Sequence, residues 1–256
     1  MNLDLENSEG DYFVSRRRLL CTCAGGLLLS ACGGGSESNN NTPIKPVQRG
    51  CLSVSVFANQ AVNQPGCGIP SSTTGNTNID NALRAEFEAQ KAFWGASGVS
   101  FSFLNDCNSP NAYANPQDKS ILFGSSLASK LLNQFGNIIP LWQVMAHEWG
   151  HQIQFALGDS WLNAQTVAPK ELEADMFSGF YLMLAKNTPN VTTSVSAAFS
   201  LGDWSFNDPG HHGTPAQRGA AVVAGARAAV DYASGALPRS YQALRQRFYD
   251  ELLRII

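Results

Sequence analysis

The chain has 256 residues, a formal net charge of −3 and only 14% charged residues. That length is enough for one domain with a sizeable core. After residue 18 Lys and Arg are scattered and form no basic stripe, which argues against a nucleic-acid binder.

Arg16, Arg17 and Arg18 precede an uncharged run, residues 19–31, that is too short to cross a bilayer as a helix. A basic stretch, an apolar stretch and small residues at the end describe a signal peptide, expected over residues 1–31. SRRRLL resembles a twin-arginine export signal, although three arginines would also serve the general secretion route. Leu29-Ser30-Ala31-Cys32 resembles the bacterial lipobox, in which the cysteine is lipidated before cleavage. The expectation is an exported chain, anchored to a bacterial membrane through a lipid on Cys32. Gly33 in place of an Asp looks like release to the periplasmic side of the outer membrane, if the source is Gram-negative. The chain beyond is weakly acidic, so anchoring would come from the acyl chains. Residues 32–50 are rich in Gly, Ser, Asn and Pro and nearly free of large apolar groups, so they read as a flexible linker. Cys51, Cys67 and Cys107 follow. Export favours one disulfide among them, with three pairings open.

Residues 51–256 read as one domain. Leu52, Val54 and Val56 alternate with polar residues as in a strand. Residues 62–77 form a turn-rich loop. Asn78 is a candidate cap for a helix over 79–94, with Gly95 as its stop. Strands are expected at 99–104 and 120–123, and a helix at 125–135 ends near Gly136. Pro140 suits the first turn of a helix running to about Phe155. Further helices are expected at 169–186, around 196–200, at 215–234 and at 241–255. Few strands and many helices describe an α+β fold, mostly helical with a small β-sheet.

Residues 147–151 read HEWGH. On a helix, His147 and His151 lie one turn apart on one side, so their imidazoles can share one zinc ion. Glu148 beside them suits a general base acting on water. Glu171, at the start of KELEADMFSG, is the candidate third ligand, after a loop and a helical return. Asp175 is one turn further and can accept the second ring hydrogen of a ligating histidine, His147 being the expected one. Glu173, two places on from Glu171, should face elsewhere. Two histidines and one glutamate meet the ligand count of a catalytic zinc. His211-His212 precedes GTPAQR. One of this pair could donate to an oxyanion, or both could be solvated loop residues. Arg218 could bind an acid of the site or coat the surface. Gly150 costs roughly 1 kcal/mol against alanine inside a helix, which suggests close approach of a neighbouring segment or substrate.

HEWGHQIQ, ELEADMFSG, SLGD and HGTPAQR occur in the order seen in the neutral zinc metallopeptidase family, which is similar in motif to the gluzincins. The resemblance covers roughly residues 80–235. It implies a zincin-like fold, with zinc on His147, His151 and Glu171 and with Glu148 as general base. It implies Asp175 as the acid behind a histidine and His212, rather than His211, as the polar partner of the site. Gln154 and Arg218 take supporting roles. The interval from His151 to Glu171 is short, and Met176 stands where relatives often have a cysteine. The function implied is that of a zinc-dependent endopeptidase of the bacterial cell envelope, acting on a peptide or protein substrate. In gluzincins an extended peptide pairs with a strand edge, for which Ser120–Phe123 is the candidate. A zinc amidase acting on cell-wall peptides and a catalytically inactive zincin-like binding or assembly lipoprotein are the alternatives. No oligomeric state is implied.

Overall fold

In the computed structural model, residues 66–107, 110–158, 166–188, 191–201 and 211–256 are described. The expected signal peptide, Cys32, the linker and the strand near Leu52 lie outside them. The described residues form four strands and seven helices, in chain order β1 (Ile69–Ser71), α1 (Thr77–Trp94), β2 (Ser100–Asn105), β3 (Ala112–Asn115), β4 (Ser120–Gly124), α2 (Ser125–Phe135), α3 (Ile139–Leu157), α4 (Ala168–Lys186), α5 (Thr192–Phe199), α6 (Pro215–Ser234) and α7 (Tyr241–Ile255). This is an α+β fold, mostly helical with one small mixed sheet, in a zincin-like arrangement.

The sheet order is β1-β2-β4-β3, with β2 and β4 parallel and both outer strands antiparallel to their neighbours. Ser120–Phe123 is therefore not an edge, as the sequence suggested. It lies in β4, between β2 and β3. Its short apolar run is what an interior strand carries, buried on both faces. Among the described residues the edge on that side is β3, which packs against α3. The sequence does not mark a strand here, because Ala-Tyr-Ala-Asn lacks both alternation and β-branched residues. β1 is unmarked too, being three residues long with a proline at its centre.

Cys67 and Cys107 form a disulfide with a Cα–Cα distance of 5.7 Å, which joins the start of β1 to the end of β2. The cap of α1 is Asn76 rather than Asn78: its side chain accepts from the N–H groups of Asn78 and Ile79. α2 starts at Gly124, which has no capping side chain. Asp106, beyond β2, accepts there from the N–H groups of Ser126 (2.8 Å) and Leu127 (3.1 Å).

The helical core sits between α1, α3, α4, α6 and α7. Trp94 packs among Phe93, Phe177, Phe180 and Tyr241, and Trp149 stacks on Phe87 at 5.3 Å. Glycines set the helix spacing around the site. A Cβ on Gly150 would lie 2.8 Å from Ala174 Cα, so α3 and α4 meet backbone to backbone there. A Cβ on Gly179 would lie 2.0 Å from Val222 O, and one on Gly225 1.9 Å from Met176 O. α4 and α6 are thus in closer contact than any side chain permits.

Candidate metal centre

α3 carries the first three residues of the site. Pro140 occupies its first turn, and Asn137 Oδ1 accepts from Ile139 N (3.0 Å) where Ile138 offers no cap. Gln152 faces the sheet and donates to Ser120 O (2.8 Å) and Asn115 O (3.2 Å), which fixes the helix against β3 and β4. The helical spacing then puts His147 and His151 side by side, with Nε2 atoms 3.1 Å apart.

α4 returns across α3 at the Gly150–Ala174 contact, which brings Glu171 in. Its Oε2 lies 3.2 Å from His147 Nε2 and its Oε1 3.5 Å from His151 Nε2. Ligand atoms of the three side chains fall within 4.8 Å of one another, and all three residues are buried. Asp175, one turn on, accepts from His147 Nδ1 at 2.9 Å.

The segment read as HGTPAQR is a helix start with two side chains aimed at the cluster. Gly213 has φ +92°, a left-handed conformation that suits glycine. Thr214 and Gln217 form a reciprocal capping box on α6, and Pro215 takes the first turn. Arg218, one turn in, donates from Nε to Asp175 Oδ2 (2.6 Å) and from Nη2 to Oδ1 (2.9 Å). It is buried against the acid rather than coating the surface. His212, its side chain 39% exposed, places Nδ1 3.4 Å from Glu171 Oε2. His211 is buried. Gln154 Oε1 lies 2.8 Å from His151 Nδ1.

These contacts decide the protonation pattern. Asp175 can only accept, so His147 carries a proton on Nδ1 and turns Nε2 to the cluster. Gln154 presents its oxygen to His151, with the same result. Two ring nitrogens 3.1 Å apart beside a buried carboxylate call for a cation among them, either a proton or a metal ion in its place. Burial alone would lower the pKa of His147, but the charges and hydrogen bonds of Asp175 and Glu171 push it up to about 10. Glu171 is held well below the usual carboxylate range: burial would raise it, and His151, His147 and His212 outweigh that. Asp175 is also lowered, because Arg218 and His147 overrule its burial. Glu148 goes the other way. It is 3% exposed, burial raises its pKa, and its Oε2 has no hydrogen-bond partner among the described residues. Buried polar atoms are rarely left so without a task. A cation-seeking donor set beside a carboxylate with an uncommitted oxygen fits a divalent metal. Two imidazoles and one carboxylate are ligands that zinc takes readily.

Four further residues, Glu173, Arg245, Gln143 and Ser178, belong to this neighbourhood without a local signal in the sequence that places them there. Glu173 does not join the three ligands, in keeping with its place on α4, yet it accepts from Gln154 Nε2 (2.8 Å). Arg245 on α7 donates to Glu173 from Nε (3.0 Å). Gln143, one turn before His147, donates to Ser178 Oγ (2.6 Å), and Ser178 donates to Asp175 O (2.7 Å).

No protein-family model, curated protein or solved structure matches the chain. What stands is a buried His-Glu-x-x-His and Glu-x-x-x-Asp cluster, consistent with a gluzincin-type zinc-binding motif.

Proposed function

We propose that this chain is a zinc-dependent endopeptidase of the bacterial envelope, held at a membrane by a lipid on Cys32. The observation that carries the reading is the convergence of His147, His151 and Glu171 beside the uncommitted oxygen of Glu148. His147, His151 and Glu171 would hold the ion, and the order of motifs along the chain, similar to that of the neutral zinc metallopeptidases, supports zinc. Bound zinc supplies Lewis acidity, which brings the pKa of water to roughly 7 and polarises a carbonyl.

The remaining work falls to side chains. Glu148 Oε2 takes the proton of the attacking water and passes it to the departing amine. Burial raises its pKa, so the carboxylate is more basic than an exposed one and takes the proton of water more readily. Asp175 holds the ring of His147 in the tautomer that presents Nε2, and Arg218 holds Asp175. His212 combines exposure with contact to Glu171, so it can reach the substrate side and donate to the developing oxyanion. An extended substrate would add along β3, the sheet edge packed on α3.

The test is the purified protein, zinc-loaded, against mixed peptides and murein fragments. Wild type should cleave internal peptide bonds, and Glu148→Gln should keep its zinc and lose turnover. Cleavage confined to murein amides would favour the amidase reading. A zinc-loaded wild type as inert as Glu148→Gln on every substrate would sink the enzymatic one.

A further inference from the structure

The two histidines of the cluster are backed in different ways. Nδ1 of His147 meets a carboxylate at 2.9 Å, which can only accept, and this outweighs the longer 3.3 Å approach of Arg218 Nη2 in settling where the proton sits. Nδ1 of His151 meets the carboxamide of Gln154, which can present either its oxygen or its NH₂ group. If it presented NH₂, His151 would accept at Nδ1, carry its proton on Nε2 and lose the lone pair that faces Glu171 and His147.

That choice is made one step further out. Gln154 Nε2 lies 2.8 Å from Lys170 O and 2.8 Å from Glu173 Oε2, a carbonyl and a carboxylate. Both N–H bonds of the amide are used there, and only Oε1 is left for His151. Glu173 is itself 3% exposed. Arg245 grips it from α7, with Nε 3.0 Å from Oε1 and Nη2 3.5 Å from Oε2. The same guanidinium donates from Nη1 to Gly158 O (3.0 Å), at the end of α3. It therefore ties the last turn of the helix that carries His151 to the acid that orients its partner. A carboxylate keeps a buried place when a cation shares it, and Arg245 is that cation.

We infer that Glu173 and Arg245 are positioning residues for His151, acting through Gln154, so that the C-terminal helix α7 is a working part of the metal centre. The inference rests on the metal reading above and deepens it. It gives each histidine its own arginine-held acid: Arg218 and Asp175 behind His147, Arg245 and Glu173 behind the amide of His151. The first lies in the recognisable motifs. The second draws its arginine from α7, 94 positions beyond His151.

A double-mutant cycle on the zinc dissociation constant tests this, read by competition with a chromophoric chelator. The variants are Gln154→Met, Arg245→Met and the two combined. Arg247→Met is the control, since Arg247 lies on the same helix but pairs with Asp231 and Glu251. Partners of ligating histidines typically carry about 10–100-fold in metal affinity, so Gln154→Met should fall in that range and Arg245→Met about 3–10-fold. The double variant should bind no more weakly than Gln154→Met, because the route is already cut. In the zinc-loaded protein the Nδ1–H resonance of His151 should shift in Arg245→Met and stay in Arg247→Met. If Arg245→Met does not fold, Glu173→Gln takes its place in the cycle with the same expectations. Zinc affinity within twofold of wild type for Arg245→Met, or losses that multiply in the double variant, overturns the inference and leaves the metal reading intact. A wild type that binds no zinc overturns both.

Discussion

Replacing Gly225 by alanine tests whether the approach of α4 and α6 holds the site together. The added Cβ would fall 1.9 Å from Met176 O, and within 2.9 Å of Met176 C and Cα as well. Real contacts of this kind stay beyond 3.0 Å. The obstacle is backbone, so one helix must move by about 1 Å or more. Overpacking of this kind costs about 3 kcal/mol. Alanine returns roughly 1 kcal/mol of helix propensity. The net loss is then about 2 kcal/mol, or about 1 M in the urea midpoint at a slope near 2 kcal/mol/M. The damage should also reach the chemistry. α6 carries Arg218 and α4 carries Asp175, and their 2.6 Å and 2.9 Å hydrogen bonds cannot survive such a displacement unchanged. Zinc affinity should fall together with stability. Gly98→Ala is the control, since nothing lies within 4 Å of its Cβ position, and it should change stability by less than about 0.5 kcal/mol. A Gly225→Ala protein as stable as wild type, with unchanged zinc affinity, would refute the argument.

Three more expectations follow from the structure. Asp80 accepts from both Thr73 and Thr74; burial alone would raise its pKa, and these hydrogen bonds hold it below the usual value. Its folded pKa is depressed, so its stabilisation is complete above the unfolded value of about 3.9 and is lost as pH falls through the folded one. The urea midpoints of wild type and Asp80→Asn should therefore differ at pH 7 and converge as the pH drops below about 4. Asp106→Ala removes the acceptor of the first N–H groups of α2 and should cost about 1–2 kcal/mol in chemical denaturation, with zinc affinity unchanged. Arg218→Met leaves Asp175 buried without its guanidinium and should weaken zinc binding about 10–100-fold by chelator competition.

The residues that belong to short motifs on regular helices could be read from the chain. HEWGH sits on one helix, so its spacing alone implies that the two rings meet. Glu171 and Asp175 share a face one turn apart for the same reason. Gly150 announced a close neighbour, and the neighbour is Ala174. The major helices also followed from periodicity and their stops, Gly95 and Gly136 among them. Other features depend on where distant segments land. α5 spans Thr192–Phe199 rather than 196–200, because its start has no capping side chain to mark it. The position of β4 inside the sheet depends on β3, whose Ala-Tyr-Ala-Asn has little strand character until it pairs with β4. Asp106 caps a helix from 20 positions away, and no local pattern marks such a cap. Glu173 lies outside the ligand set, as its place two residues after Glu171 on the helix implies. The partner it finds instead comes from α7, in a charge-rich helix where Arg245 looks like its neighbours.

The central claim is that two imidazoles and one carboxylate meet on a single ion. X-ray absorption at the zinc edge, on protein loaded with one equivalent, tests it most directly. The account predicts two nitrogen scatterers at about 2.0–2.1 Å from histidine and carboxylate oxygen at about 2.0–2.2 Å. It also predicts that the nitrogen count falls to one in His151→Ala. A metal shell without imidazole, or one that His151→Ala leaves unchanged, would contradict it.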